Sequence, residues 1–581
     1  MKQHVLVLGL LLPLLAAPAA AQEGIERSKH NLSYTGRGVR SAEEVEICKF
    51  CHRTHQPALD LSKTAAALSG YQAIELASVP GRGSRSCLAC HDGTMAFARA
   101  IEQPLVGTTI RPLELLTPPV LPPVPPLSPS LPTVSPPDLR RSHPVGISAT
   151  RSLESRLSGE RLKLGAGNRV ECTSCHDPHV ESRDDTEGKF LIRSNRSSAL
   201  CLECHEPQGW RTNPGSHQAS HKPFDRELGA LTGYGTVADN ACMSCHRAHG
   251  NASQAALLRA EGAQVCLTCH AGRVGELDIG AEVMKPYAHP VLGGGHLPTE
   301  ANAADRTLPE RSLAAPRHVT CVDCHEPHGA YARPASAPFA SGALAATWGI
   351  DSSGIRVDPI RFEYELCFKC HGDSMNQPAR PRPPERLRRA IPEPNLRRAF
   401  DPESAASFHP VVAPGRGRDV PSLIPPLTPS SLVYCTDCHG SDRRGQTPAG
   451  GPRGPHGSIY RSLLERNLST SDHAVESPTT YALCYKCHDR EAILSPTSPF
   501  DTHGLHVVRE RTPCTACHAS HGVSGRQGDP LGNAHLIDFD VSIVAPAGGR
   551  LSYRSLGPRS GSCSVSCHGT IHVETAYPRG T

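Results

Sequence analysis

Cysteine and histidine recur together along this chain in a single spacing. Eleven times, two cysteines separated by two residues are followed at once by a histidine: Cys48, Cys51 and His52; Cys87, Cys90 and His91; Cys172, Cys175 and His176; Cys201, Cys204 and His205; Cys242, Cys245 and His246; Cys266, Cys269 and His270; Cys321, Cys324 and His325; Cys367, Cys370 and His371; Cys435, Cys438 and His439; Cys484, Cys487 and His488; Cys514, Cys517 and His518. A twelfth copy, Cys563, Cys567 and His568, is stretched by one residue. These elements use all 24 cysteines and leave none for a separate disulfide framework. On one helical turn residues i, i+3 and i+4 share a face, so the spacing presents two thiols and an imidazole to one object. Two thiols that add across two vinyl groups, beside an imidazole that reaches the enclosed metal, describe covalent haem attachment. Zinc is the competing chemistry, because Cys–x–x–Cys pairs also build tetrahedral sites. Zinc does not require a histidine directly after the second cysteine; here one follows every time, although only 32 of 581 residues are histidine. The expected cofactor is haem c, twelve per chain, with the motif histidines as proximal iron ligands. In the stretched copy the first cysteine moves by about 100° around a helix, which predicts a haem seated differently.

Each iron then needs a sixth ligand. Apart from the initiator, the only methionines are Met95, Met243, Met284 and Met375, too few to serve generally. Spare histidines are plentiful, and His/Met ligation raises potential, so the composition points to low-potential, bis-histidine iron. Five motifs carry a second histidine three places on: His55, His179, His249, His328 and His521. A histidine that close cannot wrap around a porphyrin to grip the opposite face of the same iron, so it must reach a neighbouring haem. The fifth pair has Asp442 at that place, and His456, in a Pro-His-Gly like that at His328, is the substitute. Upstream of the pairs stand His30, His143, His221, His289 and His409, several in His-Pro-Val, with His503 or His506 before the last pair. His535 completes the candidate distal ligands.

The motifs alternate between two kinds. One follows an extended-looking run, and the other follows Leu or Val on a short helical stretch, as at Leu200, Val265, Leu366 and Leu483. Six such pairs cover the chain, which resembles the doubled-CXXCH family of multihaem cytochromes from the periplasm and cell surface of metal-reducing bacteria. The resemblance spans nearly all of the chain beyond its leader, including the stretch from His535 and the closing Gly-Ser before Cys563. It implies six-coordinate, low-potential haems in a closely spaced chain.

The elements that must position these groups are sparse. Hydrophobic residues are 38% and aromatic ones 4%, against 51 Gly and 54 Pro. The expected fold class is irregular: mostly coil, short α-helices and a few short strands, built from six doubled CXXCH modules nucleated by haem. Residues 1–21 read as a signal peptide, its apolar run too short to span a bilayer. Residues 22–103 hold the first haem pair, 104–137 a Pro-rich extended linker, and 138–376 pairs two to four. Residues 377–398 form a basic, Pro-rich linker, whose charge run reads first as a solvated face and alternatively as a dock for an acidic partner. Residues 399–581 hold pairs five and six with a C-terminal hairpin built from Asp538–Val544 and the stretch at Leu551. Ser41 to Glu44 is a capping box opening a helix into Cys48, and 361–371 reads as another helix.

Electron transfer without substrate chemistry is the leading function, in the periplasm, at the outer membrane or outside the cell. The implied partners are other redox proteins (periplasmic cytochromes, an outer-membrane porin–cytochrome conduit) or extracellular acceptors, with no nucleic acid and no transmembrane segment in the mature chain. The alternatives are a multihaem reductase of a small nitrogen or sulfur oxyanion, which needs an open iron, and a polymerising filament subunit. No Cys–x–x–Cys–Lys variant occurs to mark an open iron. Charge supplies a test of the haem count. Twenty-four propionates from twelve haems would outweigh the formal net charge of +4, so the reduced holoprotein should focus below neutral pH. An isoelectric point above neutrality would contradict the count.

Overall fold

A computed structural model describes residues 24–36, 40–41, 43–52, 84, 87, 91, 110–111, 142–150, 164–181, 189–213, 217–249, 255–292, 319–373, 387–445 and 451–578. The leader, His55, Cys90, nearly all of 104–137 and residues 377–386 of the basic segment lie outside the described residues. The chain divides into two compact units, one comprising Met1–His205 with Arg247–Leu257, the other Glu206–His246 with Leu258–Thr581. Among the described residues no helix is long and apolar enough to cross a membrane.

Coil predominates, as the composition requires, and among the described residues ten short helical elements are centred on the motifs. Helices α1 (Cys172–Cys175), α2 (Ala241–Cys245), α3 (Gln264–His270), α4 (Cys321–Cys324), α5 (Glu363–His371) and α6 (Cys514–Cys517) carry six of them. Others form 3-10 turns at Ile47–Phe50, Cys201–Glu203, Cys435–Asp437 and Cys484–Lys486. The turn at Cys48 is thus 3-10, begins at Ile47 and has no side-chain cap, a correction to the helix expected from Ser41. Some turns start with help from within the motif. The residue before the second cysteine reaches back to the N-cap N–H, Ser174 Oγ accepting from Glu171 at 3.0 Å and Asp323 from Thr320 at 2.6 Å. That is the capping-box logic compressed into the attachment sequence. In eight motifs the histidine N–H then donates to the carbonyl of the first cysteine at 2.7–3.0 Å, at His52, His176, His205, His246, His325, His439, His488 and His518. One bond of this kind closes the turn that gathers both thiols and the imidazole.

The two motif kinds leave that turn differently. After α1, α2, α4 and α6 the histidine is extended. His176, His246 and His518 then bridge to Leu191, Leu258 and Ile537 downstream. In α3 and α5 the histidine stays helical. Two-residue strands hold spare histidines side by side. Tyr287–Ala288 pairs with Gly457–Ser458, bringing together the adjoining His289 and His456; Ser407–Phe408 pairs with Gly522–Val523 and does the same for His409 and His521. The glycine after His456 is required by this contact, because a Cβ on Gly457 would run into the Glu282 carbonyl oxygen.

Apolar clusters are small. The largest gathers Trp348, Ile350, Tyr364, Phe368, Phe400 and Phe408 around α5, with the buried Lys369 ammonium 4.5 Å from the centre of the Trp348 ring. A second holds Ala516, Phe539, Val544, Tyr553 and Val565. The C-terminal hairpin is displaced from its expected place. Strands β1 (Ser552–Gly557), β2 (Ser560–Cys567) and β3 (Thr570–Tyr577) form an antiparallel sheet with β2 central. Asp538–Val544 is not a strand, because its alternating carboxylates turn inward: Asp538 accepts from the Ile391 N–H and Asp540 from those of Arg388 and Ser542. The described part of the basic segment is likewise no free patch. Arg389 donates to the Thr515, Asp538 and His518 carbonyls at 2.7 Å each, and Arg397 pairs with Asp373.

Among the described residues the apolar clusters are small, and the haems expected from the motifs would supply further apolar mass. Expressed without haem attachment, the protein should be protease-sensitive with no cooperative melt. A compact apoprotein that unfolds cooperatively would contradict this.

Candidate haem-binding site

Ten of the eleven described motif histidines from His52 to His518 face a second imidazole. Ring centroids are 6.1 Å apart for His52 and His179, His91 and His30, His176 and His249, and His246 and His328. The separations are 5.9 Å for His205 and His143, 6.2 Å for His270 and His217, 6.0 Å for His325 and His456, 6.4 Å for His371 and His289, 5.8 Å for His439 and His521, and 6.5 Å for His518 and His503. His409 is within electrostatic reach of His488. Two metal–imidazole bonds of about 2 Å each, with the ring radii added, put the centroids about 6 Å apart. Imidazoles in direct contact would stack much closer.

The pairs follow a rule. A histidine three places after one motif faces the first-kind motif of the preceding module: His179 to His52, His249 to His176, His328 to His246, His521 to His439. His456 faces His325 and so takes the place that Asp442 vacates; Asp442 instead binds Lys285 at 2.8 Å. The upstream His30, His143, His217 and His289 face the second-kind motif of their own module, whereas His503 faces His518, the first-kind motif of the last module. Ring planes alternate accordingly. Four first-kind pairs lie within 26° of parallel and the His439 pair at 30°, whereas the second-kind pairs at His91, His205, His270 and His371 cross at 64–83°.

Carbonyl oxygens fix the ring orientations. His217 Nδ1 donates to Pro327, His289 to Pro455 and His409 to Ser520, each time to the residue just before the other spare histidine. Motif histidines do likewise, His176 to Lys189 and His439 to Ser462 at 2.8 Å, and His325 to Ala343 at 2.9 Å. An Nδ1–H so engaged leaves Nε2 as the free lone pair, the usual outer arrangement of a metal-bound imidazole. Burial pulls His503 and His521 down to about 3, and His249, His371, His456, His488 and His518 to about 4. All are therefore neutral imidazoles at pH 7.

The thiols also connect one module to the next. Cys87 hydrogen-bonds to Cys172, Cys266 to Cys321, Cys367 to Cys435 and Cys484 to Cys514. Among the described residues no cysteine is in a disulfide. Burial pushes the second cysteines Cys175 and Cys245 up to about 11, and Cys438 and Cys517 to about 12. At those second positions this disfavours the thiolates zinc needs, whereas the first cysteines Cys172 and Cys321 are drawn down to about 6 and 7 by the neighbouring thiols Cys87 and Cys266. In the second unit a continuous cavity of about 3350 Å³ runs past six complete motifs, from Cys266 to His518, and past Cys563 and Cys567. Donor set, spacing and cavity all fit haem c.

The comparisons agree. The doubled CXXCH motif family matches residues 166–209, 235–275 and 428–493. This chain carries the doubled CXXCH motif. Its doubled CXXCH units are those whose imidazoles and thiols are described above. The chain is also similar to the multiheme cytochrome MtrA of Shewanella baltica (strain OS185), 24% identical over 167 residues, which cover 28% of this chain and 36% of that protein. The match thus spans about a third of the relative's length. No solved structure matches.

Several expectations land elsewhere. His221 is exposed, and His217, four residues earlier, faces His270 instead. Only the Pro327 carbonyl, distant in sequence, selects between them. His535 lends its carbonyl to His518 and its ring meets Tyr553 edge-on. His506 faces His572, and His568 stacks on His473; neither His572 nor His473 carries a local signal. Replacing His217 with Ala should convert one haem from low-spin to high-spin in the visible spectrum without loss of covalent haem, whereas His221→Ala should be silent. The reverse result would contradict the placement.

Proposed function

We propose that this chain is a dodecahaem c-type electron carrier, an exported wire in which bis-histidine haems pass electrons from module to module. The supporting observation is the series of imidazole pairs, in which five of the six first-kind motif histidines, His52, His176, His246, His325 and His439, face a histidine of the next module. In each motif the two cysteines would hold one haem through thioethers to its two vinyl groups, an S–H addition with no net oxidation. The iron of such a group takes up and releases one electron. The protein's part is to hold both axial imidazoles in place through their Nδ1 hydrogen bonds and to keep water from the iron. Buried neutral imidazoles on both faces favour low potential over the higher values of His/Met sites.

A second imidazole facing a motif histidine would fill the sixth position of the iron held there, which argues for a carrier over a reductase, since a reductase needs an iron open to substrate. The proposed setting is the periplasm or the cell surface, and the partners are other redox proteins or extracellular acceptors. Intact-protein mass spectrometry of the matured holoprotein should show twelve haems per chain, and a potentiometric titration should spread them over a broad, low-potential range. Fewer than ten haems, or a titration confined to high potential, would contradict the reading.

A further inference from the structure

The stretched twelfth motif lies on a strand, and a strand obeys a different spacing rule from a helical turn. Side chains alternate along β2, so Cys563, Val565 and Cys567 share one face. Two intervening residues would have split the thiols between faces; the third restores them to one side. β2 is regular here: Cys563 and Ser564 pair with Tyr553 and Ser552 of β1, while Val565, Ser566 and Cys567 pair with His572, Ile571 and Thr570 of β3. The extra residue falls on β3, where Glu574 has φ +49°. Residues directly opposite one another in a sheet share a face, so His572 stands beside the two thiols.

The same alternation turns His568 to the other face. Its Nε2 lies 3.0 Å from both carboxylate oxygens of Asp472, and its ring stacks on His473 at 4.4 Å, well short of the roughly 6 Å at which the other imidazole pairs face each other. Cys563, Val565, Cys567 and His572 line the cavity, whereas His568 does not. Across from His572 stands His506, on the π-helical turn Leu505–Arg509, at a centroid separation of 6.1 Å. That is the separation of the pairs at the regular motifs. His506 Nδ1 donates to the Thr502 carbonyl at 2.9 Å, which turns Nε2 toward the cavity.

We propose that the haem bound through Cys563 and Cys567 takes His572 and His506 as its axial ligands, with the motif histidine His568 turned away. This rests on the twelve-haem reading above. The test compares matured holoprotein of wild type, His572→Ala, His506→Ala, the double variant and His568→Asn, by haem count from intact mass and spin-state quantitation by EPR. Each single alanine variant should keep twelve haems and turn one iron of twelve high-spin. The double variant should also show one such iron, not two, because both ligands serve the same metal. His568→Asn should leave every iron low-spin. In His572→Gly, added imidazole should restore the low-spin signal, which a merely structural defect would not allow. Twelve haems with a high-spin iron in His568→Asn and none in His572→Ala would overturn this ligation while leaving the haem count intact. Two altered irons in the double variant would overturn it as well. Eleven haems in wild type would overturn the count, and this ligation with it.

Discussion

A four-residue turn cannot surround a porphyrin. The turn that gathers two thiols and an imidazole on one face of a haem has no reach left for the opposite face, and most of this fold answers that constraint. The sixth ligand must come from elsewhere in the chain, so His179 faces His52, His249 faces His176 and His521 faces His439. Each module thereby completes its predecessor. In the proposed reading, order in the chain follows from the need to fill a coordination position more than from side-chain packing, which would explain how so few large apolar residues suffice. Phe400 and Phe408 of the first small cluster and Phe539, Val544 and Tyr553 of the second line the cavity.

The same constraint explains the two families of ring planes. A first-kind histidine leaves its turn extended and is held by a carbonyl downstream, as His176 is by Lys189. Its partner comes from the next module and lies nearly parallel. A second-kind histidine such as His270 or His371 stays within its helix, and its partner, oriented by the carbonyl preceding another spare histidine, crosses it steeply. The link from His289 through the Pro455 carbonyl to the neighbouring His456 ties adjacent coordination sites to one short stretch of backbone.

What could be read from the sequence was what is local. Attachment motifs, their two alternating kinds and the impossibility of self-ligation all follow from spacing within a few residues. His217 was hidden because His221 sits in an equivalent polar loop, and only the distant Pro327 carbonyl selects between them. His572 was hidden because its face depends on strand register, and the expectation of a helical twelfth motif pointed to the wrong geometry. Asp538 to Val544 alternates like a strand, yet its carboxylates bind the backbone of residues 388–391. Arg389, part of an apparent surface charge run, is buried among three carbonyls. In these last two cases polar groups expected to face solvent bind backbone groups instead.

The central claim is that paired imidazoles, in two alternating orientations, hold the iron throughout the chain. Low-temperature EPR of the fully oxidised holoprotein tests it most directly, since low-spin ferric haem reports the angle between its axial imidazole planes. Two low-spin classes of comparable weight should appear: rhombic signals from the near-parallel pairs and strongly anisotropic signals from the near-perpendicular ones. A spectrum dominated by high-spin iron, or one showing a single uniform low-spin class, would contradict the account.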